Sequence, residues 1–237
     1  MRPVLADLKV ERLTFALPYK PLLQPVSFTV AAGEVVVITG AKGAGKTLLL
    51  KLLNRLVEPS GGQVFWAGQE YRSIPPANLR RQLVYVATEP DLLGMTVQET
   101  LMYPLLVQKL SSTVMEQRLV GVLSNFMIPA DWLGKRVNEL TLADCQRVAV
   151  ARCLMMEPSV LLLDDPFKYL DVAVWEELRS MATKLCLSIV VTGRNLESDR
   201  VLYLRNGHLL WDRTEVDWAA LGEEIDRTEA VEAADWE

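Results

Sequence analysis

Histidine is nearly missing from this chain: among 237 residues there is one, His208. Any position where chemistry calls for an imidazole is therefore filled by that residue or left unfilled. Cysteine is also scarce. Cys145, Cys153 and Cys186 are odd in number and scattered, which excludes both a disulfide framework and a zinc site and points to reduced thiols in a cytosolic protein. No apolar run reaches about 18 residues, so no bilayer-spanning helix is expected. The opening MRPVLADLKVER carries charges throughout and lacks an apolar h-region, so no secretory signal is expected. An excess of basic residues is absent too. The net charge of −5 argues against a nucleic-acid partner, which would favour a basic face.

What is present suits a packed domain. Half of the residues are hydrophobic and 23% are charged, and the length fits one large domain or a domain with an insertion. Short β-branched runs alternate with helical patterns, the signature of an α/β fold with a largely parallel sheet. Strands are expected at Val35 to Thr39, Gln63 to Ala67, Leu83 to Ala87, Val160 to Leu163 and Ser188 to Thr192. Helices are expected at Gly45 to Leu56, Thr141 to Met156 and Val172 to Cys186, with a helical subdomain at about 90–140. Asn206-Gly207, between Val201 to Leu204 and Leu209 to Trp211, is a two-residue hairpin signal. Residues 1–222 form the expected domain, and 223–237 read as an acidic, flexible tail.

Residues 40–47 read GAKGAGKT, which fits G-x-x-x-x-G-K-[ST] between a strand and a helix. Gly40, Gly43 and Gly45 let backbone amides turn inward without a Cβ in the way, and the following helix adds the positive end of its dipole. Gly40, Ala41, Lys42, Gly43, Ala44, Gly45, Lys46, Thr47 and Leu48 are thus the candidate phosphate-binding stretch. The side chains of Lys42 and Lys51 are read as solvated. Lys46 would reach the β/γ-phosphates and the Thr47 hydroxyl would bind Mg²⁺. The sequence VLLLDD at 160–165 supplies a buried strand ending in Asp164, which would hold Mg²⁺ through water in the Walker-B manner.

The order of motifs resembles the ATP-binding subunits of ABC transporters over roughly residues 8 to 212. VSFTVAAGEVVVITGAKGAGKTLLLKLL looks like the family's opening, SGGQVFWAGQ like its next strand, and VYVATEPDLLGMTVQETL like its Q-loop and helical subdomain. NELTLADCQRVAVARCLMMEPSVLLLDDPFKYLD resembles the signature helix, Walker B and D-loop in unbroken order. The resemblance implies a P-loop NTPase core with a mostly parallel sheet, an N-terminal antiparallel β part and a helical subdomain. It implies ATP and Mg²⁺ as ligands, and a dimer that sandwiches ATP between one subunit's P-loop and the other's signature. It also implies docking on an integral membrane permease from the inner, cytoplasmic face of the cell membrane.

The departures from the family pattern bear on activity. Thr88 stands where the family has a glutamine linking Mg²⁺ to the permease contact; threonine keeps a hydroxyl for the metal site but has less reach. Leu140-Thr141-Leu142-Ala143-Asp144 replaces L-S-G-G-Q, adding Cβ atoms and a negative charge where a γ-phosphate would approach. Like charges about 4 Å apart cost on the order of 4 kcal/mol at an effective dielectric near 20. Thr141-x-x-Asp144 also fits a capping box, in which the helix satisfies its own donors. Asp165 replaces the catalytic glutamate and falls short of its reach by one methylene, about 1.5 Å; a misplacement of about 1 Å can cost about 100-fold. Gly193 occupies the switch-histidine position, and His208, beside the hairpin, cannot replace it. Arg194 is read as solvent-exposed, with a reach to the γ-phosphate as the alternative. Leu17 stands where an aromatic stacks on adenine; Tyr19 could substitute, and Phe15 is read as core. Leu48 replaces the second hydroxyl after Lys46, while Asp171 keeps the D-loop carboxylate. MgATP binding with slow hydrolysis is the resulting expectation; a non-catalytic nucleotide-binding regulatory or structural subunit of an ABC complex is the alternative.

Overall fold

The computed structural model describes residues 7–126, 128–170 and 172–234. Its first strands, β1 (Leu8–Leu17) and β2 (Lys20–Val30), pair antiparallel. They bury Leu8, Val10 and Leu13 from one, and Leu23, Val26, Phe28 and Val30 from the other, mostly on alternate positions. Then come β3 (Val35–Thr39), α1 (Lys46–Leu53), β4 (Gly61–Trp66), β5 (Gln69–Glu70), α2 (Pro76–Gln82) and β6 (Leu83–Val86). The helical subdomain holds α3 (Val97–Val107) and α4 (Ser112–Asn125), followed by α5 (Leu142–Leu154). The chain closes with β7 (Val160–Leu163), α6 (Val172–Leu185), β8 (Ser188–Thr192), β9 (Arg200–Arg205), β10 (His208–Arg213) and α7 (Trp218–Ala234).

The antiparallel sheet runs β2-β1-β4-β5, and the larger sheet runs β10-β9-β3-β8-β7-β6. In the larger sheet only β10 is antiparallel. β3, β7 and β8 are buried at every residue, as continuous apolar runs require when both faces of a parallel sheet are covered. One face packs on α1 and the antiparallel sheet, with Leu49, Leu50, Leu52 and Leu53 in the core. The other face packs on α5, α6 and the helical subdomain. The ends of β3, β6, β7 and β8 thereby converge above one crevice, the usual ligand position in such sheets.

The expected strands and helices are present, with ends displaced by a few residues. α2 is a helix that short windows of periodicity did not reveal. Asn206 and Gly207 have φ of 49° and 76°, as the two central residues of a type I′ turn require.

The tail is a correction. The domain boundary set at 222 falls inside α7, whose residues through Ala234 are helical. Its N-terminus is capped by the Asp217 carboxylate, which accepts from the Ala219 and Ala220 amides at 3.0 and 3.2 Å. Leu221 and Ile225, one helical turn apart, are buried against Ala41 and Tyr203. Aliphatic residues are few here, but they fall on one face. Residues 235–237 of that tail lie outside the described residues.

Truncating the buried Ile225 to alanine should cost about 2–4 kcal/mol and loosen α7. The expected outcome is faster amide exchange across Leu221 to Ala230, with the β3 and β8 amides still protected.

Candidate functional site

The loop after β3 takes a shape that only its glycines permit. Gly40, Gly43 and Gly45 have φ of 146°, 84° and 101°. A Cβ at Gly40 would sit 2.0 Å from the Leu204 carbonyl oxygen. Gly45, left-handed, starts α1. The hairpin turn between β9 and β10 braces the loop: Gly207 N–H donates to the Ala44 carbonyl at 3.1 Å, and the Gly207 carbonyl accepts from Gln24 N–H at 2.9 Å. The Lys46 ammonium donates to the carbonyls of Gly40 and Ala41 at 2.6 and 2.7 Å. Burial lowers its pKa, and the Arg194 cation lowers it further; Glu229, Asp165 and Asp164 oppose the shift.

Asp164, at the end of β7, is buried and accepts three hydroxyl hydrogen bonds. Thr47 and Thr192 donate to Oδ1 at 2.9 and 3.1 Å, and Tyr85 donates to Oδ2 at 2.9 Å. The Thr47 bond ties the first turn of α1 to the end of β7. Burial, with Asp164 adding to it, pushes the Tyr85 phenol pKa up, so this group stays a donor. Thr88, at the end of β6, donates its hydroxyl to the Asp164 carbonyl at 2.9 Å. The candidates Lys46, Thr47, Thr88 and Asp164 thus come together. Thr192 and Tyr85 escaped the sequence reading. Their signal is positional, because parallel neighbours of β7 must end beside Asp164.

Asp165 takes a left-handed conformation, φ 42°, and its amide donates to Thr192 Oγ1 at 2.7 Å. Its side chain is exposed beside the crevice. At α5 the Thr141 hydroxyl oxygen accepts from Asp144 N–H at 3.2 Å, and the hydroxyl itself donates to the Asp144 carboxylate at 2.7 Å. Half of the expected box is present: Thr141 caps the helix, while Asp144 turns to the Thr141 hydroxyl instead of its amide. Leu142 projects into solvent, 63% exposed. Behind it Gln146, buried, donates to the Ala87 carbonyl at 3.3 Å, joining α5 to the Thr88 segment.

The remaining candidates lie around this centre. Leu48 packs its side chain against the core under the antiparallel sheet, so only its backbone belongs to the loop surface. Tyr19 stands fully exposed in the turn between β1 and β2, φ 68°. Phe15 is partly buried against the same core as Leu48. Arg194 is not a free surface cation: it donates to Asp226 at 2.7 Å and Glu229 at 2.8 Å, both on α7. Gly193, in its turn, lies against Leu196, where an added Cβ would come within 2.8 Å of Cδ1. After β7, Lys168 and Tyr169 donate to Glu89 at 2.7 and 3.1 Å, binding that segment to the residue after Thr88. Asp171 lies outside the described residues.

The donor set of Thr47 and Asp164 is all oxygen, which suits a hard cation completed by phosphate oxygens and water. Among the described residues no group of three or more His, Cys, Asp or Glu side chains is placed to hold a metal ion.

Comparison with known proteins bears on this arrangement. The chain is 32% identical over 198 residues to a molybdate/tungstate import ATP-binding protein of Thermococcus kodakarensis, covering 79% of this chain and 59% of that protein. It is 28% identical over 201 residues to a glycine betaine/carnitine/choline transport ATP-binding protein of Bacillus subtilis, covering 81% and 53%. It therefore spans little more than half the length of these relatives. The solved structure of an ATP-binding subunit of an ABC transporter superposes with a TM-score of 0.82 at 24% identity, over 92% of this chain and 99% of that one. The structure of cbiO1 from Clostridium perfringens, part of the ABC transporter complex cbiONQ, gives 0.79 at 24%, over 97% and 94%. These structures share the ABC ATPase fold with the chain. The sequence profile of the ABC transporter family matches residues 23–168, most of the chain, and so the chain belongs to the ABC transporter family.

Proposed function

We propose that this chain is the ATP-binding subunit of a membrane ABC transporter. In this reading it binds MgATP at the loop of residues 40–47, couples nucleotide-driven dimerisation to a permease, and hydrolyses ATP slowly. The observation that carries the reading is the 2.9 Å bond from Thr47 to Asp164. It holds a phosphate loop and a buried carboxylate at one point, where Mg²⁺ would neutralise phosphate charge. Lys46 would leave the loop carbonyls for the β/γ-phosphates, and the amides beside Gly43 and Gly45 would cradle the phosphates further in.

Slow turnover follows from the groups around that cradle. In this reading Asp165 activates water, but it is one methylene shorter than the glutamate the family has there, and general-base catalysis contributes about 10²–10⁴-fold. Gly193 supplies no side chain for the transition state. In a sandwich dimer each site joins one chain's phosphate loop to the other's signature helix, and α5 here begins with a donor already capped by Thr141. In a homodimer each site joins weakened base and switch groups to a weakened signature; with an intact, different partner one site lacks base and switch and the other a good signature.

The permease would meet the helical subdomain, where Tyr103, Leu106 and Val107 of α3 and Val114 and Val120 of α4 are exposed apolar residues. No helix among the described residues is long and apolar enough to cross a membrane. Peripheral attachment at the inner face, through the permease, is part of the proposal. The alternative, a non-catalytic nucleotide-binding regulatory or structural subunit, draws support from the capped start of α5 and from the Thr88 hydroxyl, already engaged with the Asp164 carbonyl.

Calorimetric titration should show MgATP binding that weakens more than about tenfold in Lys46→Ala, the loss of a charge-assisted phosphate contact. Steady turnover should fall well below the typical enzyme rate of about 10 s⁻¹ and drop further in Asp165→Asn; turnover unaffected by that substitution would exclude Asp165 as the base. Single-turnover phosphate release that depends on Lys46 supports the transporter reading, and its complete absence supports the alternative.

A further inference from the structure

The phosphate loop is already in contact with an anion, and the anion belongs to the chain itself. Oε1 of Glu229 accepts from the Lys42 backbone N–H at 2.9 Å and from the Arg194 guanidinium at 2.8 Å. One carboxylate oxygen is therefore shared between a loop amide and a cation from the segment after β8. The other terminal nitrogen of Arg194 is held by Asp226 at 2.7 Å. These acidic residues project from α7, whose apolar face rests on Ala41 of the same loop. The helix thus meets the loop twice, through a packed alanine and through a charged oxygen. Lys46, meanwhile, is folded back onto the carbonyls of Gly40 and Ala41.

An oxygen that takes one hydrogen bond from a loop amide and another from a guanidinium is placed as a phosphate oxygen would be. Lys42 directly precedes Gly43, and its amide lies on the side of the loop that α7 meets. Both Arg194 and Glu229 are close enough to Lys46 to perturb its charge.

We propose that the Lys42 amide and the Arg194 guanidinium form the subsite for the terminal phosphate of a nucleoside triphosphate, and that Glu229 occupies this subsite until the triphosphate displaces it. The inference rests on the reading of the loop as a MgATP site and adds an internal competitor to it. A diphosphate does not reach the subsite, so it binds with Glu229 in place. A triphosphate must expel the carboxylate, freeing Arg194 for its own outermost oxygens and unseating the C-terminal part of α7. Arg194 then supplies a cation next to the position where Gly193 has no side chain. ADP and ATP consequently leave the chain in two arrangements that differ in α7.

The test is titration of the full chain with MgATP and MgADP, in the parent and in Glu229→Gln, Glu229→Ala and Glu229→Gln/Arg194→Ala variants. An apparent affinity is reduced by the fraction of molecules whose site is blocked, so unblocking by either Glu229 substitution should tighten MgATP by about five- to tenfold. MgADP affinity should stay within about twofold, because no group it touches has changed. Adding Arg194→Ala to Glu229→Gln should weaken MgATP by about tenfold and again spare MgADP, the signature of a contact to the outermost phosphate alone. In the parent, MgATP and not MgADP should speed amide exchange at Ile225 to Ala230. Equal MgATP affinity in the parent and both Glu229 variants overturns the proposal, as does parallel weakening of ATP and ADP on loss of Arg194. If neither nucleotide binds the parent or any variant, the MgATP reading falls and the proposal falls with it; if both nucleotides bind but no variant separates them, only the subsite is lost.

Discussion

A buried carboxylate at the end of a strand sets the arrangement of this molecule. Asp164 has left water, and a charge in that position is tolerated only where donors surround it. It finds them in Thr47, Thr192 and Tyr85, one each from α1, β8 and β6. Those three elements must therefore end at the same height around β7. Removing a single hydroxyl would leave part of a buried anion uncompensated, a penalty of about 1–3 kcal/mol or more. The stability of the sheet and the geometry of the phosphate crevice are consequently set by the same contacts.

The loop of residues 40–47 imposes the complementary constraint. Three of its glycines hold positive φ, and Gly40 lies so close to Leu204 that no side chain fits between them. The ammonium of Lys46 satisfies two loop carbonyls in the free chain. The loop backbone is held by its glycines, and the Lys42 amide is bonded to Glu229. Groups around the loop are likewise bonded within the chain. Thr141 caps its own helix, Thr88 holds a carbonyl, and Arg194 holds two carboxylates.

Much of this was legible in the sequence. VVVIT, VLLLDD and SIVVT announce buried strands because they are short, continuous apolar runs between turn signals. The glycine spacing and Lys46-Thr47 gave the loop, and the family's order of motifs supplied the antiparallel sheet. Hydroxyl donors such as Thr192 and Tyr85 were not legible, because their meaning depends on strand register rather than on local pattern. The tail was misread because its composition is acidic; Leu221 and Ile225 are two residues among many charges, yet one turn apart they suffice to seat a helix. Arg194 is exposed, as expected, and its ion pairs were not legible because both carboxylate partners lie more than thirty positions along the chain. Tyr19, singled out for its ring, stands in a turn with that ring in solvent.

Hairpin tips are ordinarily the places where a protein accepts insertions and fused tags. The turn at Asn206-Gly207 is an exception. Its Gly207 bonds to Ala44 on one side and Gln24 on the other, with Leu22 so near that a Cβ would lie 2.5 Å from its carbonyl oxygen. A sequence grafted at this tip would pull out the wedge on which the phosphate loop leans. Engineering that leaves the crevice intact belongs elsewhere on the surface.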